Sequence, residues 1–363
     1  MIVYILADAL RPDHLSCYKG KVNTPNIDSL AKEGVLCQNM YANSNATEPC
    51  ITTILTGHYV HEHGILVHPR YTTFSETAQQ RVNPAIEDHH LCQLFRKEGI
   101  RTVLFDMLSI FNEPYFDDYF QVKSDIRVKT KGQDTLKLLK DNLAELSPNT
   151  FIFIHFWDTH HPYFPDYEGE VKKLDEEVGE LLGMIDLDKD TVVFSADHGE
   201  SIGEHVTEAR ATDPGHHHLY EEIVRIPFII HTPLTKGKVI SKFQEEIDIL
   251  PTILAKHGIV YQREWFTPNA QTVDSELAKN IVFFEEHTYQ QQIGFRTAKW
   301  KYMEKIGDLN CPLCNVIHGG GKYELYDLEQ DPKETYNIAS LQEAKTLNNF
   351  SLQAWAWYNV RHL

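Results

Sequence analysis

Basic residues are scarce in this chain. Its 363 residues carry 34 Lys and Arg against 52 Asp and Glu, a formal net charge of −18. That balance argues against a nucleic-acid or anionic-membrane partner. A small anionic substrate stays open, because a few local cations override the global field. Long apolar runs are missing too: nothing approaches the roughly 18 residues of a membrane span. The opening Met1 to Leu6 is too short and lacks the basic start of a signal peptide, and it reads as a first strand. Cysteine is sparse, with six in all. Four are scattered, which excludes a disulfide scaffold and suits reduced thiols in the cytoplasm. The other two form a lone Cys311-Pro312-Leu313-Cys314 loop. His318 offers a third zinc ligand but no clear fourth follows, so a reduced pair is preferred.

What is present is ordinary globular composition, 42% hydrophobic and 24% charged, in a chain long enough for a large core with an appendage. Apolar strands are expected at 2–7, 35–41, 101–105, 151–156, 191–194 and 226–230. The run 151–156 reads as wholly apolar, fit for the centre of a parallel sheet covered on both faces. Helices are expected from Thr24-Pro25-Asn26 to Gly34, and at 47–56, 91–98, 135–146, 174–185 and 247–257. At 47–56, Thr47 reads as the N-cap, with an acid next and a proline in the first turn. This alternation implies a doubly wound, mostly parallel sheet over residues 1–279. From about 280 the texture changes to short antiparallel strands, a glycine run and a terminal helix with two tryptophans. Residues 280–363 therefore read as a smaller α+β subdomain.

Four chemistry-bearing features fall at or just past strand ends: Asp8, Thr47, the Asp158 to His161 cluster, and Asp197-His198. In open α/β sheets ligands bind there. A carboxylate beside an imidazole suits a divalent cation such as zinc or manganese. A cation held by Asp8, Asp197 and His198 would bind an oxygen of a tetrahedral anion and lower the pKa of a coordinated hydroxyl. Thr47, at a helix N-terminus where anions are favoured, would supply that hydroxyl as a ligand and nucleophile.

These segments resemble the sulfatase family of the alkaline phosphatase superfamily, nearly end to end. The likeness runs through Ile5-Leu6-Ala7-Asp8-Ala9-Leu10-Arg11-Pro12-Asp13, Thr24-Pro25-Asn26-Ile27, and Leu55-Thr56-Gly57 with His61, His63 and Gly64. It continues through Asp158-Thr159-His160-His161-Pro162-Tyr163, Asp197-His198-Gly199-Glu200 with Gly203-Glu204-His205, Asp248-Ile249-Leu250-Pro251-Thr252, and Glu324-Leu325-Tyr326-Asp327. The resemblance implies a three-layer α/β/α sandwich and a metal-dependent hydrolase of phosphoric or sulfuric esters. It gives His160 and His217 roles in protonating the leaving oxygen or holding the anion, and His205 a role in orienting the metal loop. A second metal at Asp158, His160 and His217 is an alternative. His58, His61, His63 and His68 are candidates for the pocket rim.

The departures from the family pattern carry information. Thr47 stands where sulfatases carry the Cys or Ser converted to formylglycine, with Pro49 in register. Ile51 replaces the motif's arginine, and Ala9 the second acid of the usual Asp-Asp pair. The Gly-Lys-Trp-His segment falls at 104–108, which has no Lys or His. Loss of one carboxylate and gain of His198 shift preference from calcium, which stays possible, toward zinc or manganese. Threonine lacks the C–O cleavage exit of formylglycine hydrate, so phosphoric esters are favoured over sulfuric. The expected partner is a small anionic ester, or a sulfated or phosphorylated glycan. Two alternatives are a transferase moving a phosphoalcohol group to a glycan and a non-catalytic anion-binding relative. A homo-oligomer is left open.

Overall fold

The structure is a computed structural model that describes residues 1–66, 82–107, 115–123, 131–205, 218–287, 291–307 and 321–359. Twelve strands are present among them. The first eight are β1 (Ile2–Ala7), β2 (Val35–Tyr41), β3 (Arg101–Asp106), β4 (Asp118–Gln121), β5 (Thr150–Phe156), β6 (Thr191–Ala196), β7 (Arg225–His231) and β8 (Lys238–Glu245). They form one sheet in the order β4-β3-β5-β1-β6-β7-β2-β8. Every neighbouring pair is parallel except the two that involve β7, which runs against both β6 and β2. Strands β1, β5 and β6 are buried along their whole length, as their apolar sequences require of a sheet covered on both faces.

The covering helices include Pro25–Glu33, Thr47–Thr56, Leu91–Lys97, Lys131–Leu143, Tyr167–Leu182 and Ile249–Lys256. The helix Tyr167–Leu182 shows how they are fixed. Asp166 caps it by accepting from the Gly169 N–H at 2.8 Å. Its Asp175 then accepts from the Ile27 and Asn26 N–H groups at 2.9 and 3.1 Å, which ties it to the start of the first long helix. Gly34 ends that first helix in an extended conformation. It is needed for space, since a Cβ there would meet the Ile230 carbonyl oxygen at 2.8 Å.

A second sheet follows, β12-β11-β10-β9, antiparallel throughout: β9 (Ile281–Glu286), β10 (Gln292–Thr297), β11 (Trp300–Lys305) and β12 (Tyr323–Asp327). The helix Ala344–Tyr358 packs on it, with Phe350 against Phe295 and Tyr302. The main core runs unbroken from the large sheet into Ile293, Phe295 and Tyr302.

Differences from the sequence expectation lie at the edges. Strands β4 and β8 were not anticipated. β4 has four residues, and β8 (KVISKFQE) carries an exposed, charged first half, so neither offers an apolar signal. The helices expected at 135–146 and 174–185 begin earlier, at Lys131 and Tyr167. Cys17, Cys37, Cys50 and Cys92 are free thiols. Cys311, Cys314 and His318 lie outside the described residues. Among the described residues no helix is long and apolar enough to cross a membrane.

Candidate metal centre and active site

Four adjacent parallel strands deliver acids and imidazoles to one rim. In sheet order these are Asp106 at the end of β3, His155 near the end of β5, Asp8 just after β1, and Asp197-His198 just after β6. All five side chains are buried. The Asp8 N–H donates to the Phe156 carbonyl at 2.8 Å, and its own carbonyl accepts from Thr159 Oγ1 at 2.5 Å, so the strand end is held firmly. Ala9 then turns with φ +57, a left-handed conformation uncommon for alanine. The turn aims its N–H at Asp197 Oδ1, 3.0 Å away. Asp197 Oδ1 also accepts from the His198 N–H at 2.8 Å.

Thr47 reaches this rim from the helix Thr47–Thr56. The preceding loop is pinned by Asn43, which donates through its backbone N–H to Glu246 Oε2 at 2.9 Å and through Nδ2 to the Phe283 carbonyl at 2.7 Å. The N-cap is Ala46, not Thr47 as expected, and it makes no side-chain cap bond. Thr47 is the first helical residue. Its hydroxyl donates to Asp8 Oδ2 at 3.3 Å and lies 3.4 Å from His198 Nε2. The hydroxyl faces the acids instead of its own helix.

The donor set fits a divalent cation. Asp8 Oδ1 and Asp197 Oδ2 are buried and make no hydrogen bond. Oxygens in that state are costly without a positive partner. The separations Thr47 Oγ1 to Asp8 Oδ2, Thr47 Oγ1 to His198 Nε2 and His198 Nε2 to Asp197 Oδ2 are 3.3, 3.4 and 3.5 Å. Donors about 2.1 Å from one ion stand roughly 3.0–3.4 Å apart in tetrahedral or octahedral shells. His198 Nδ1 is bound to the Gly199 carbonyl at 2.8 Å, which fixes the tautomer that presents Nε2 to the acids.

Electrostatics agree. Burial works to raise the pKa of Asp8, but the His160, His155 and His198 charges outweigh it and bring it down to about 2. Asp197 is raised, first by burial and then by the Asp8 charge. Burial opposes charge on His155, yet Asp106 and Asp8 push it up to about 10. Acids this deeply buried call for positive charge beside them, which a bound cation would supply.

His155 escaped the sequence reading, which took 151–156 as wholly apolar. Its Nε2 lies 3.2 Å from Asp8 Oδ2 and its Nδ1 3.1 Å from Asp106 Oδ1. An isolated imidazole inside an apolar run gives no periodic signal. Only its place one residue before the strand's end could have flagged it.

His160 is near the rim: after burial, its charge is the largest influence on Asp8. Its Nδ1 is 2.6 Å from the His161 carbonyl, which makes Nδ1 the protonated nitrogen of the neutral ring. The buried Lys131 ammonium donates to the His160 and Pro162 carbonyls at 2.8 and 3.2 Å and holds this loop in place. His217 lies outside the described residues, as does His68. Asp158 already has a cationic partner. Lys173 Nζ binds its Oδ1 at 2.8 Å, so an ammonium already supplies the positive charge.

The described histidines of the expected rim, His58, His61 and His63, have partners within the fold. His63 bonds Thr53 Oγ1 at 3.1 Å, His61 pairs with Glu285 at 2.7 Å, and His58 contacts the Trp265 carbonyl at 2.9 Å. All follow the far end of the Thr47–Thr56 helix. His205 contacts Glu222 at 2.7 Å and the Lys333 and Glu334 carbonyls at 2.9 and 3.0 Å, so it ties the loop after Asp197 to the C-terminal segment. Arg11 is spent on the same loop and its own neighbourhood, with Glu204, the Glu200 carbonyl and Asp13 as partners.

A family profile described as Sulfatase matches residues 1–259. The chain belongs to the sulfatase family. A profile described as N-sulphoglucosamine sulphohydrolase, C-terminal, matches residues 215–354 of this sulfatase-family chain. The chain is 22% identical to an N-acetylglucosamine-6-O-sulfatase of Bacteroides thetaiotaomicron, across 93% of this chain and 82% of that one. Among solved structures it superposes with a TM-score of 0.75 at 17% identity, covering 98% and 97% of the two chains, on a protein in complex with its substrate D-glucosamine-2-N,6-O-disulfate. It also matches the phosphonate monoester hydrolase of Agrobacterium radiobacter, with a TM-score of 0.71 at 16% identity over 100% and 96%. These overlays establish the alkaline-phosphatase-like fold. As a sulfatase-family member the protein is a hydrolase of sulfate or phosphate esters, from a superfamily that uses a divalent metal ion.

Proposed function

We propose that this sulfatase-family hydrolase cleaves phosphoric mono- or diesters in preference to sulfuric esters, with Thr47 as nucleophile. Asp8, Thr47, Asp197 and His198 are the proposed ligands of one divalent ion, zinc or manganese before calcium because an imidazole is among the donors. One observation carries the proposal: the Thr47 hydroxyl is turned away from capping duty and stands 3.3 Å from the Asp8 carboxylate at the start of a buried helix.

When bound, the ion supplies positive charge for the anion's oxygens and lowers the pKa of a neighbouring hydroxyl. The chain's own residues do the rest. Asp8 Oδ2 is placed to receive the Thr47 proton. Thr47 Oγ1 then attacks phosphorus, and the bond to the ester oxygen breaks. His160, as an imidazolium whose Nδ1–H is held by the His161 carbonyl, is the candidate proton donor to that leaving oxygen through Nε2–H. The helix N-terminus stabilises the anion. Water then attacks phosphorus and gives its proton to His160, the bond to Thr47 Oγ1 breaks as that oxygen regains the proton held by Asp8, and phosphate leaves from a monoester or a phosphomonoester from a diester. A sulfated threonine lacks formylglycine's route of collapse by C–O cleavage, which is why phosphorus is preferred. His217 is retained as a second anion-binding candidate. The substrate class includes small anionic esters and phosphorylated or sulfated glycans, the latter supported by a structural neighbour solved with a sulfated glucosamine. The free thiols suit a cytoplasmic setting.

Sulfuric ester hydrolysis is the second reading, favoured by the family match and by the sulfatase name of the Bacteroides thetaiotaomicron relative. Turnover of aryl phosphate, bis-aryl phosphate and aryl sulfate, each with zinc, manganese and calcium, separates the two. Phosphate or diester cleavage that vanishes in Thr47→Ala is expected. Cleavage of the sulfate alone overturns the preference, and no turnover with any metal favours a binding protein.

A further inference from the structure

We infer that His155 is a further ligand of the ion at Asp8 and Asp197, oriented for that task by Asp106. The inference rests on the proposed metal centre at Asp8, Thr47, Asp197 and His198. Asp8, His155 and Asp197 each offer an atom, and the three atoms lie within 4.8 Å of one another, all buried. His155 Nε2 stands 3.2 Å from Asp8 Oδ2, matching the other donor separations at the site. Ala9, next to Asp8, has no side-chain donor, so the acids leave room for another ligand.

The other side of the ring completes the arrangement. His155 Nδ1 is 3.1 Å from Asp106 Oδ1. That oxygen is fixed by the Met107 N–H at 2.7 Å and by Trp157 Nε1 at 2.9 Å. The Trp157 ring packs against His155 with centroids 4.4 Å apart. With the Asp106 carboxylate facing Nδ1–H, the Nε2 lone pair is left for a metal, the pattern that orients histidine ligands generally. Asp106, His155 and Asp8 come from three neighbouring strands, β3, β5 and β1, so the sheet itself sets their order.

X-ray absorption on the zinc-loaded full-length protein tests this by counting imidazoles around the ion. Two are expected, from His198 and His155. One imidazole overturns the inference while leaving the proposed centre intact, and failure to bind zinc at all overturns both. Zinc affinity, measured by competition with a chelating dye, supplies the variants. His155→Gln should lose one imidazole and weaken binding by more than about 100-fold, and Asp106→Asn should weaken it about 10–100-fold with both imidazoles kept. Wild-type affinity in a folded His155→Gln protein contradicts the assignment. If that variant does not fold, Asp106→Asn and the wild-type imidazole count still decide.

Discussion

The Thr47 hydroxyl stands 3.3 Å from Asp8 Oδ2 across 39 residues of sequence, and it does so because Ala46, one position earlier, takes the N-cap place. A capping threonine would spend its oxygen on its own helix. This one is delivered to the acids. Thr47→Ala should cut turnover by about 10³-fold or more with little change in stability. Thr47→Ser should retain activity within roughly tenfold, since it keeps the oxygen. Equal activity in wild type and Thr47→Ala would exclude the hydroxyl from the chemistry.

Asp197 is strained by burial and by the nearby Asp8 charge. An asparagine there keeps an Oδ1 acceptor for the Ala9 and His198 N–H groups but sheds the charge. In chelator-treated protein, Asp197→Asn should raise stability by about 1–2 kcal/mol. With zinc or manganese present the order should reverse, because the wild type gains binding energy that the variant cannot. Thermal melts with and without chelator report both signs. A variant less stable than wild type under both conditions would contradict this account of the centre.

Metal stoichiometry should be one ion per chain. Asp158 belongs to a buried group in which Lys173 binds it at 2.8 Å, while burial and the Asp158 charge push Glu177 up to about 10. A protonated Glu177 beside an ammonium-paired Asp158 makes a poor cation site. Elemental analysis after dialysis should find one zinc or manganese, and two ions retained at Asp158 would refute the point.

Much of this centre could be read from sequence, and the reasons are local. Asp8, Asp197 and His198 each follow an apolar strand directly, so the rim position is written in the order of residues. Thr47 is located by its register against Thr56-Gly57 and by its place at a helix start, and only the expectation that it is also the N-cap differs, since Ala46 takes that position. Asp106 and His155 were missed because they sit within buried strands, where a polar side chain is indistinguishable from an exception until its neighbours across the sheet are known. Their partnership depends on β3 lying beside β5, a relation between segments about 50 residues apart. The same limit hid β4 and β8, whose pairing comes from the sheet edge and not from an apolar pattern.

Acid stability should depend on His63. Burial is the main influence on this ring and brings its pKa down to about 3. It is held neutral, with Nδ1 accepting from the Ile65 N–H and Nε2 bonded to Thr53. The folded value lies below the unfolded one of about 6.5, so the contribution is complete above pH 6.5 and is lost as pH falls toward 3. Between pH 6.5 and 5 the loss amounts to about 2 kcal/mol. His63→Gln should therefore show a flatter decline than wild type in urea unfolding across that interval. Parallel declines would place the acid sensitivity elsewhere.

The most direct test is to quench the enzyme during turnover of an aryl phosphate with zinc or manganese and map the peptides by mass spectrometry. A single phosphoryl group on Thr47, absent from Thr47→Ala, is the predicted result. Turnover with phosphorylation at another residue, or turnover that persists in Thr47→Ala, would contradict it.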